Sequence, residues 1–85
     1  MNPIEVHAVA RIDVACKMTG ETRSTLYAKA KAGLLPVPIK IGPRAAAVPL
    51  REIAAINAAR IRGEGDDAIR ALVNRLHLER ATLGV

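Results

Sequence analysis

Three consecutive polar residues, Arg23, Ser24 and Thr25, carry the clearest chemistry in the sequence. They follow Thr22, a residue type that often caps the start of a helix, so all three are expected in a first helical turn. Guanidinium and hydroxyl groups donate hydrogen bonds to phosphate oxygens and base edges, and the amino end of a helix favours a nearby anion. This segment therefore predicts a surface that binds an anionic ligand.

The other reactive side chains form no catalytic or metal-binding pattern. Cys16 is the single cysteine and His7 and His77 are the two histidines, so neither an internal disulfide nor a set of metal ligands at a known spacing can be assembled. No nucleophile is spaced so as to suggest a partner base. We therefore expect the protein not to be an enzyme, with no catalytic residues, no metal and no cofactor. We interpret Cys16 as a small buried residue.

Basic residues are concentrated in the first 62 positions. That part holds ten Lys or Arg against four Asp or Glu, whereas residues 63–85 hold three against four, within a net charge of +5. A basic body with a nearly neutral tail is typical of a domain that meets a polyanion, although a solvated helical surface gives the same balance. The 85 residues suffice for one small core, and it must be thin because Tyr27 is the single aromatic residue.

No apolar run approaches the roughly 20 residues that cross a membrane, and the amino-terminal segment lacks the features of a signal peptide. A cytoplasmic location is therefore expected.

The elements that must position the polar segment begin with two short helices. Residues 1–10 have no cap and no clear period, and are expected to be a flexible or strand-like lead-in. Asp13 is an N-cap residue type for a first helix, which ends at Thr19-Gly20. Thr22 caps a second helix, and Gly33 is placed to end it.

A hairpin and a third helix follow. The alternation of Val37, Ile39 and Ile41 with polar or proline positions predicts a strand. Gly42-Pro43-Arg44 predicts a turn into a second strand over residues 45–48. Apolar residues at helical spacing then predict a third helix after Pro49, from Leu50 to about Arg62.

A fourth helix is predicted over residues 66–85, capped by Asp66 or Asp67 after a glycine-rich break. It carries an apolar stripe made of Ile69, Leu72, Val73 and Leu76. Three uses remain open for the stripe: packing onto the core, pairing with the same helix of a second copy, or binding a partner protein.

The predicted fold is mostly α with a small β-hairpin, in the order of a winged helix-turn-helix followed by a C-terminal helix. Small residues are needed where the first two helices cross, and the sequence supplies Ala15, Cys16, Gly20, Ala28 and Ala30. Over about residues 11–62, the winged helix-turn-helix region, the chain resembles the AlpA-like prophage regulators and excisionases, which are relatives of MerR-type proteins. The matching motifs are Gly20-Glu21-Thr22-Arg23-Ser24-Thr25-Leu26-Tyr27, then Gly33-Leu34-Leu35-Pro36-Val37-Pro38-Ile39-Lys40-Ile41-Gly42-Pro43-Arg44-Ala45, and Glu52-Ile53.

The chain departs from that family pattern at several positions. Glu21 stands where the family has an apolar residue, and Ala28 stands where it usually has Arg, while Lys29 is basic at a commonly apolar position. Aliphatic residues replace the aromatic side chains of the family core, namely Leu35 for Phe and Val48 and Ile56 for two Trp. The fold remains plausible with such a core, because hydrophobic side chains of similar volume can replace one another.

The resemblance implies that the helix starting near Thr22 enters the major groove of double-stranded DNA and that the hairpin tip contacts the minor groove or the backbone. Arg23 would contact a base or a phosphate, and the hydroxyl groups would set the register on phosphates. The implied DNA-binding residues are Thr22, Arg23, Ser24, Thr25, Tyr27, Lys29, Lys31, Lys40 and Arg44. Structural explanations stay open for three of them: Thr25 bonding a carbonyl of its own helix, Tyr27 half-buried in the core, and Arg44 bracing the hairpin.

The function expected from these features is DNA binding by a protein of mobile-element type. It would act as a transcriptional regulator or as an excisionase, that is, a recombination directionality factor, in the bacterial cytoplasm and nucleoid. Expected partners are double-stranded DNA and an integrase or RNA polymerase, with homo-oligomers or cooperative loading because one small module binds weakly. No membrane partner is expected. The alternative is a protein-interaction module, such as an antitoxin or inhibitor, that uses the C-terminal apolar stripe.

Overall fold

Three strands and four α-helices make up residues 7–83, the part of the chain that the computed structural model describes. In chain order they are β1 (Val9–Arg11), α1 (Ile12–Thr19), α2 (Arg23–Lys31), β2 (Ile39–Gly42), β3 (Ala45–Pro49), α3 (Leu50–Ile61) and α4 (Asp66–Glu79), followed by a 3₁₀ turn (Arg80–Thr82). The prediction of a mostly helical domain with a hairpin is confirmed. The expected lead-in ends in a strand, β1, and residues 1–6 lie outside the described residues.

The short turn between α1 and α2 is set by local signals. Gly20 has φ of 74°, a left-handed conformation that closes α1, and its N–H donates to the Cys16 carbonyl. Two residues later, the Thr22 hydroxyl accepts a hydrogen bond from the Thr25 N–H at 3.2 Å. The predicted ends of both helices at this turn are therefore confirmed.

Two predicted acidic caps are wrong. Arg11 occupies the N-cap position of α1 because the chain enters that helix directly from β1, which leaves Asp13 inside the first turn. Gly65 is the N-cap of α4, with Asp66 and Asp67 in its first turn. The acidic side chains still favour these helices through the dipole at their amino ends, but they make no capping hydrogen bond.

The sheet has the antiparallel order β1-β3-β2, so the hairpin strand β3 lies in the middle. Ala10 pairs with Val48 on one side, and Lys40 pairs with Ala46 on the other. The register shifts between Lys40 and Gly42, which leaves Ile41 as an extra, exposed residue. The predicted alternation of Val37, Ile39 and Ile41 on one face is therefore not kept.

The apolar stripe of α4 packs inside the single chain. Ile69 and Val73 are 0% and 2% exposed, and the whole stripe belongs to the same core cluster as Ile53 and Ile56 of α3. The side chains of Ile69, Leu72, Val73 and Leu76 are buried against the domain in this structure, and their assignment to oligomerisation stays a prediction. Of the three uses left open by the sequence, core packing is the one observed.

Aliphatic residues fill the core at the positions where the resemblance has aromatic ones. Leu35, Val48 and Ile56 are all buried, at 6%, 3% and 2% exposure. At the crossing of the first two helices Ala15 and Ala30 are buried and Cys16 is half-buried against the core, whereas Ala28 is exposed. The placement of Ala28 at that contact is therefore wrong, and Cys16 is less buried than expected.

A polar cluster fastens the end of α4 to the segment that leads into β2. The Arg80 guanidinium donates to both carboxylate oxygens of Glu52, at 2.8 and 2.6 Å, and to the Val37 carbonyl at 2.8 Å. The Val37 N–H donates to His77 Nε2 at 3.1 Å. Because both backbone groups of Val37 bond to residues at the end of the chain, β2 begins only at Ile39 rather than at Val37, where the sequence predicted it.

Burial and the nearby positive charge of Arg80 lower the pKa of His77 below 6.5, partly opposed by Glu52. A neutral imidazole with an unprotonated Nε2 is the form that accepts the hydrogen bond from Val37.

Within residues 7–83, every helix is too short or too polar to traverse a lipid bilayer.

Candidate nucleic-acid interface

An open concavity lies between the amino-terminal half of α2 and the β2–β3 hairpin. Its volume is about 390 Å³. Arg23 and Tyr27, four residues apart and so on one face of α2, form one wall, and Lys40 and Arg44 of the hairpin face them. The remaining lining residues are small or apolar, namely Pro38, Ile39, Pro43, Ala45 and Ala46. The fold thus brings four of the predicted site residues, from two separate elements, to one surface.

Arg23 and Tyr27 interact with each other on this surface. The Arg23 guanidinium carbon lies 6.0 Å from the centre of the Tyr27 ring, at the outer limit of a cation–π contact. Such stacking uses none of the guanidinium N–H donors, so it can orient Arg23 while the donors remain available to a ligand. Tyr27 is 40% exposed, which places its ring on the concavity wall rather than in the core.

A second, smaller concavity of about 200 Å³ adjoins the first. It is lined by the side chains of Arg11, Arg23 and Arg44, together with Asp13 and residues Ile12, Ala45 and Ala46. Arg11 was not among the predicted site residues. Arg11 could be assigned to this site only from the pairing of β1 with β3, which joins distant parts of the chain. That pairing sets Arg11 opposite Ala47 of the hairpin.

Ion pairing separates the basic residues into two groups. Among residues 7–83, six basic side chains form no ion pair: Arg11, Lys17, Arg23, Lys31, Lys40 and Arg44. The other seven do: Lys29, Arg51, Arg60, Arg62, Arg70, Arg75 and Arg80. All six of the first group precede Ala45, so the positive potential available to an external anion is concentrated on the first half of the chain.

Lys29 is the exception in that half. Its ammonium group pairs with the carboxylate of Glu21, in the turn before α2. Glu21 stands where the resemblance has an apolar residue, so this departure has a structural consequence: it neutralises one of the two lysines at the end of α2. Lys31, the other predicted phosphate contact there, is exposed.

The hydroxyl groups at the start of α2 bond mainly to one another. Thr22 Oγ1 donates to Thr25 Oγ1 at 2.9 Å while it caps the Thr25 N–H, and the Ser24 hydroxyl lies 3.5 Å from the same Thr22 oxygen. Thr25 therefore bonds to the Thr22 hydroxyl and not to a carbonyl of its own helix, which was the structural explanation open for it. Thr22 serves first as a helix cap, and Ser24 is an exposed residue whose hydroxyl remains available to an external ligand.

Comparison of the chain with known proteins finds no matching family model, no matching curated protein and no matching solved structure. In the described part of the chain, no three His, Cys, Asp or Glu side chains lie together as a metal site would require. What the geometry itself defines is a small domain, mostly helical, with a basic concave face between a helix and a hairpin.

Proposed function

We propose that the protein binds double-stranded DNA as a winged helix-turn-helix, with α1 and α2 as the helix-turn-helix and the β2–β3 hairpin as the wing. The observation that carries the proposal is the concavity in which Arg23 and Tyr27 face Lys40 and Arg44. These residues come from the two elements that such a module presents to DNA. Their arrangement supports simultaneous contact by helix and wing.

The electrostatics support the same interpretation. A duplex carries one negative charge per roughly 1.7 Å of its axis, and its binding is driven by basic groups that neutralise phosphates. A Lys or Arg side chain already paired with a carboxylate must give up that partner before it can neutralise a phosphate. The effective side chains are therefore those of the concavity that form no ion pair within residues 7–83, namely Arg23, Lys40 and Arg44. Arg23 contacts a base edge in the major groove, where its fork matches guanine, while Lys40 and Arg44 contact phosphates.

Regulator and excisionase are the two biological roles we propose for this DNA binding. Both follow from the resemblance of residues 11–62 to AlpA-like proteins, and both use the same residues. They differ in outcome: a recombination directionality factor stimulates excision by an integrase, whereas a regulator changes transcription through RNA polymerase. An excision assay with the integrase of the same mobile element, run beside a promoter-reporter assay, separates them, because stimulation in only one assay rejects the other role.

Cooperative loading of several copies on DNA is part of the proposal, because one module of this size buries too little surface for tight specific binding. The α4 stripe cannot supply the contact between copies while it is buried in the core. The antitoxin-like or inhibitor-like alternative would depend on the same stripe, so its burial in the core favours the DNA-binding proposal.

Selection from a randomised duplex library tests the DNA-binding function. The parent protein is expected to enrich a defined sequence, and Arg23→Ala is expected to bind it more weakly by about 1–3 kcal/mol and to lose preference at one base position. Arg75→Ala is the matched control, since Arg75 is 68% exposed on α4, outside the concavity lining, and should leave affinity nearly unchanged. Absence of any enriched duplex, or equal affinity of Arg23→Ala and the parent, contradicts the proposal.

A further inference from the structure

Three arginines from three different elements line the smaller concavity. Arg11 comes from the junction of β1 and α1, Arg23 from the start of α2, and Arg44 from the hairpin turn. None of the three forms an ion pair with another part of residues 7–83. Ile12, Ala45 and Ala46 also line this space, and the small side chains of the two alanines keep it open.

One acidic group shares this space. Asp13 lines the concavity, and in the described part of the chain it lies beyond ion-pair distance of all three guanidinium groups. Three positive charges therefore face one negative charge around a volume of about 200 Å³. Guanidinium groups present planar N–H forks that match the oxygens of a phosphate, so the arrangement suits a single phosphate group better than a carboxylate-rich ligand.

We propose that Arg11, together with Arg44, binds one phosphodiester of the DNA backbone in this concavity, while Arg23 beside them contacts the base edge, and that Asp13 weakens the phosphate contact. The proposal rests on the DNA-binding function proposed above and adds Arg11, a residue outside the helix and the wing. A phosphate held here sits at the edge of the groove that α2 enters, because Arg23 and Arg44 line both concavities. Arg11 then fixes the position of the module on the backbone, without selecting sequence.

The test uses three single variants of the full chain: Arg11→Ala, Asp13→Asn and, as the control, Lys17→Ala. Lys17 is an exposed lysine on α1 that forms no ion pair within residues 7–83 and lines neither concavity. Affinity is measured over a salt series for the selected duplex and for an unrelated one. Arg11→Ala should lower the slope of log affinity against log salt by about 0.9 and weaken both duplexes by the same factor. Asp13→Asn should tighten binding to both duplexes, and Lys17→Ala should change the slope less than Arg11→Ala does.

Two outcomes overturn the inference while the parent still binds DNA: an unchanged salt slope for Arg11→Ala, or binding by Asp13→Asn that is no tighter than the parent. Circular dichroism of each variant verifies the fold, and Arg11→Gln replaces Arg11→Ala if the latter does not fold. Titration of the parent with inorganic phosphate, followed through the arginine Nε–H signals, distinguishes the source of the ligand. Shifts of Arg11, Arg23 and Arg44 in a chain that binds no duplex would reject both DNA binding and the phosphodiester, and would indicate a free-phosphate site.

Discussion

The basic residues before Ala45 and those after Pro49 differ in what surrounds them. In the first region one side chain, Lys29, forms an ion pair within residues 7–83, whereas in the second region all six arginines do. The acids of α3, α4 and the break between them are placed to pair with those arginines, for example Asp66 with Arg60 and Glu79 with Arg51. In the second region three pairs join α3 to α4 or to the turn after it, namely Arg51–Glu79, Arg60–Asp66 and Arg80–Glu52, whereas in the first region most basic groups have no such partner within residues 7–83.

This difference in ion pairing places the end of the basic surface earlier in the chain than a count of charges along the sequence does. Counted along the sequence, the basic body extends to residue 62. Arg51, Arg60 and Arg62 nevertheless pair with Glu79, Asp66 and Glu64, which belong to the C-terminal part of the chain. The effective basic surface therefore ends at Arg44, and net charge per segment is a poor guide where acids from another segment fold back onto it.

Breaking the buried pair between Arg80 and α3 should have the largest effect. In Arg80→Ala the Glu52 carboxylate, which is 2% exposed, no longer receives its two hydrogen bonds from Arg80. Removing one partner of a buried pair typically costs about 3–5 kcal/mol. Urea unfolding should show that decrease in stability for Arg80→Ala and less than about 0.5 kcal/mol for Arg75→Ala, whose 3.9 Å pair with Glu79 is exposed. Equal decreases in the two variants would mean that the paired region is not held by this contact.

A smaller decrease in stability is expected from the cap at the start of the exposed basic region. Thr22→Ala removes the acceptor of the Thr25 N–H and should lower the free energy of unfolding by about 1 kcal/mol. Thr22→Ser keeps the oxygen and should recover most of the stability. If Thr22→Ala instead weakens DNA binding with no change in stability, the hydroxyl contacts the ligand rather than the helix.

Breaking the ion pair between Lys29 and Glu21 in the first region should strengthen DNA binding. Glu21→Gln removes the carboxylate that pairs with the Lys29 ammonium group. Lys29 then becomes another basic side chain that can neutralise a phosphate. Because the pair is part-buried and still screened by solvent, its loss should cost no more than about 1 kcal/mol of stability, while the salt slope of DNA binding should steepen by less than one unit. The double variant Glu21→Gln, Lys29→Gln should return the slope to that of the parent. A slope that does not steepen in the single variant would show that Lys29 lies outside the contact with DNA.

The smallest expected effect is the dependence of stability on pH through His77, which lies in the region after Pro49. Burial and the charge of Arg80 lower the folded-state pKa of His77 below its unfolded value of 6.5. The unfolded chain therefore binds the proton first, so the contribution of His77 is complete above about pH 6.5 and is lost as the pH falls through the lower folded-state pKa. Urea unfolding between pH 8 and pH 5 should show this decline for the parent and a flatter profile for His77→Gln. Parallel profiles would exclude His77 as its source.

Local signals in the sequence were sufficient for much of the fold. Thr22 and Gly20 bond to backbone groups a few residues away, and the Gly42-Pro43-Arg44 turn joins two adjacent strands. Each of these features depends on nearby residues alone, so each can be predicted from a short stretch of sequence. The two acidic caps failed because the N-cap position precedes the aspartate in each helix: it is Arg11 in α1 and Gly65 in α4. A three-residue strand such as β1 is defined only by its pairing with β3.

The contacts that sequence reasoning missed are separated by long stretches of chain. Arg80 reaches Glu52 across 28 positions, and His77 reaches Val37 across 40. Four residues of the candidate site could be predicted from the sequence, because the resemblance implied contacts from both the second helix and the hairpin: Arg23, Tyr27, Lys40 and Arg44. Arg11 could not, since it joins them only when the sheet forms.

The central claim is that the basic side chains of the larger concavity, which form no ion pair within residues 7–83, bind DNA, and that the paired arginines after Pro49 do not. Two triple variants with the same reduction in net charge test it: Arg23, Lys40 and Arg44 changed to Ala, against Arg51, Arg62 and Arg75 changed to Ala. We predict that the salt slope of duplex binding falls by about 0.9 for each phosphate that the first variant no longer neutralises, and that it stays at the parent value in the second. Equal reductions of the slope in the two variants would show that net charge alone drives binding, and would contradict the account.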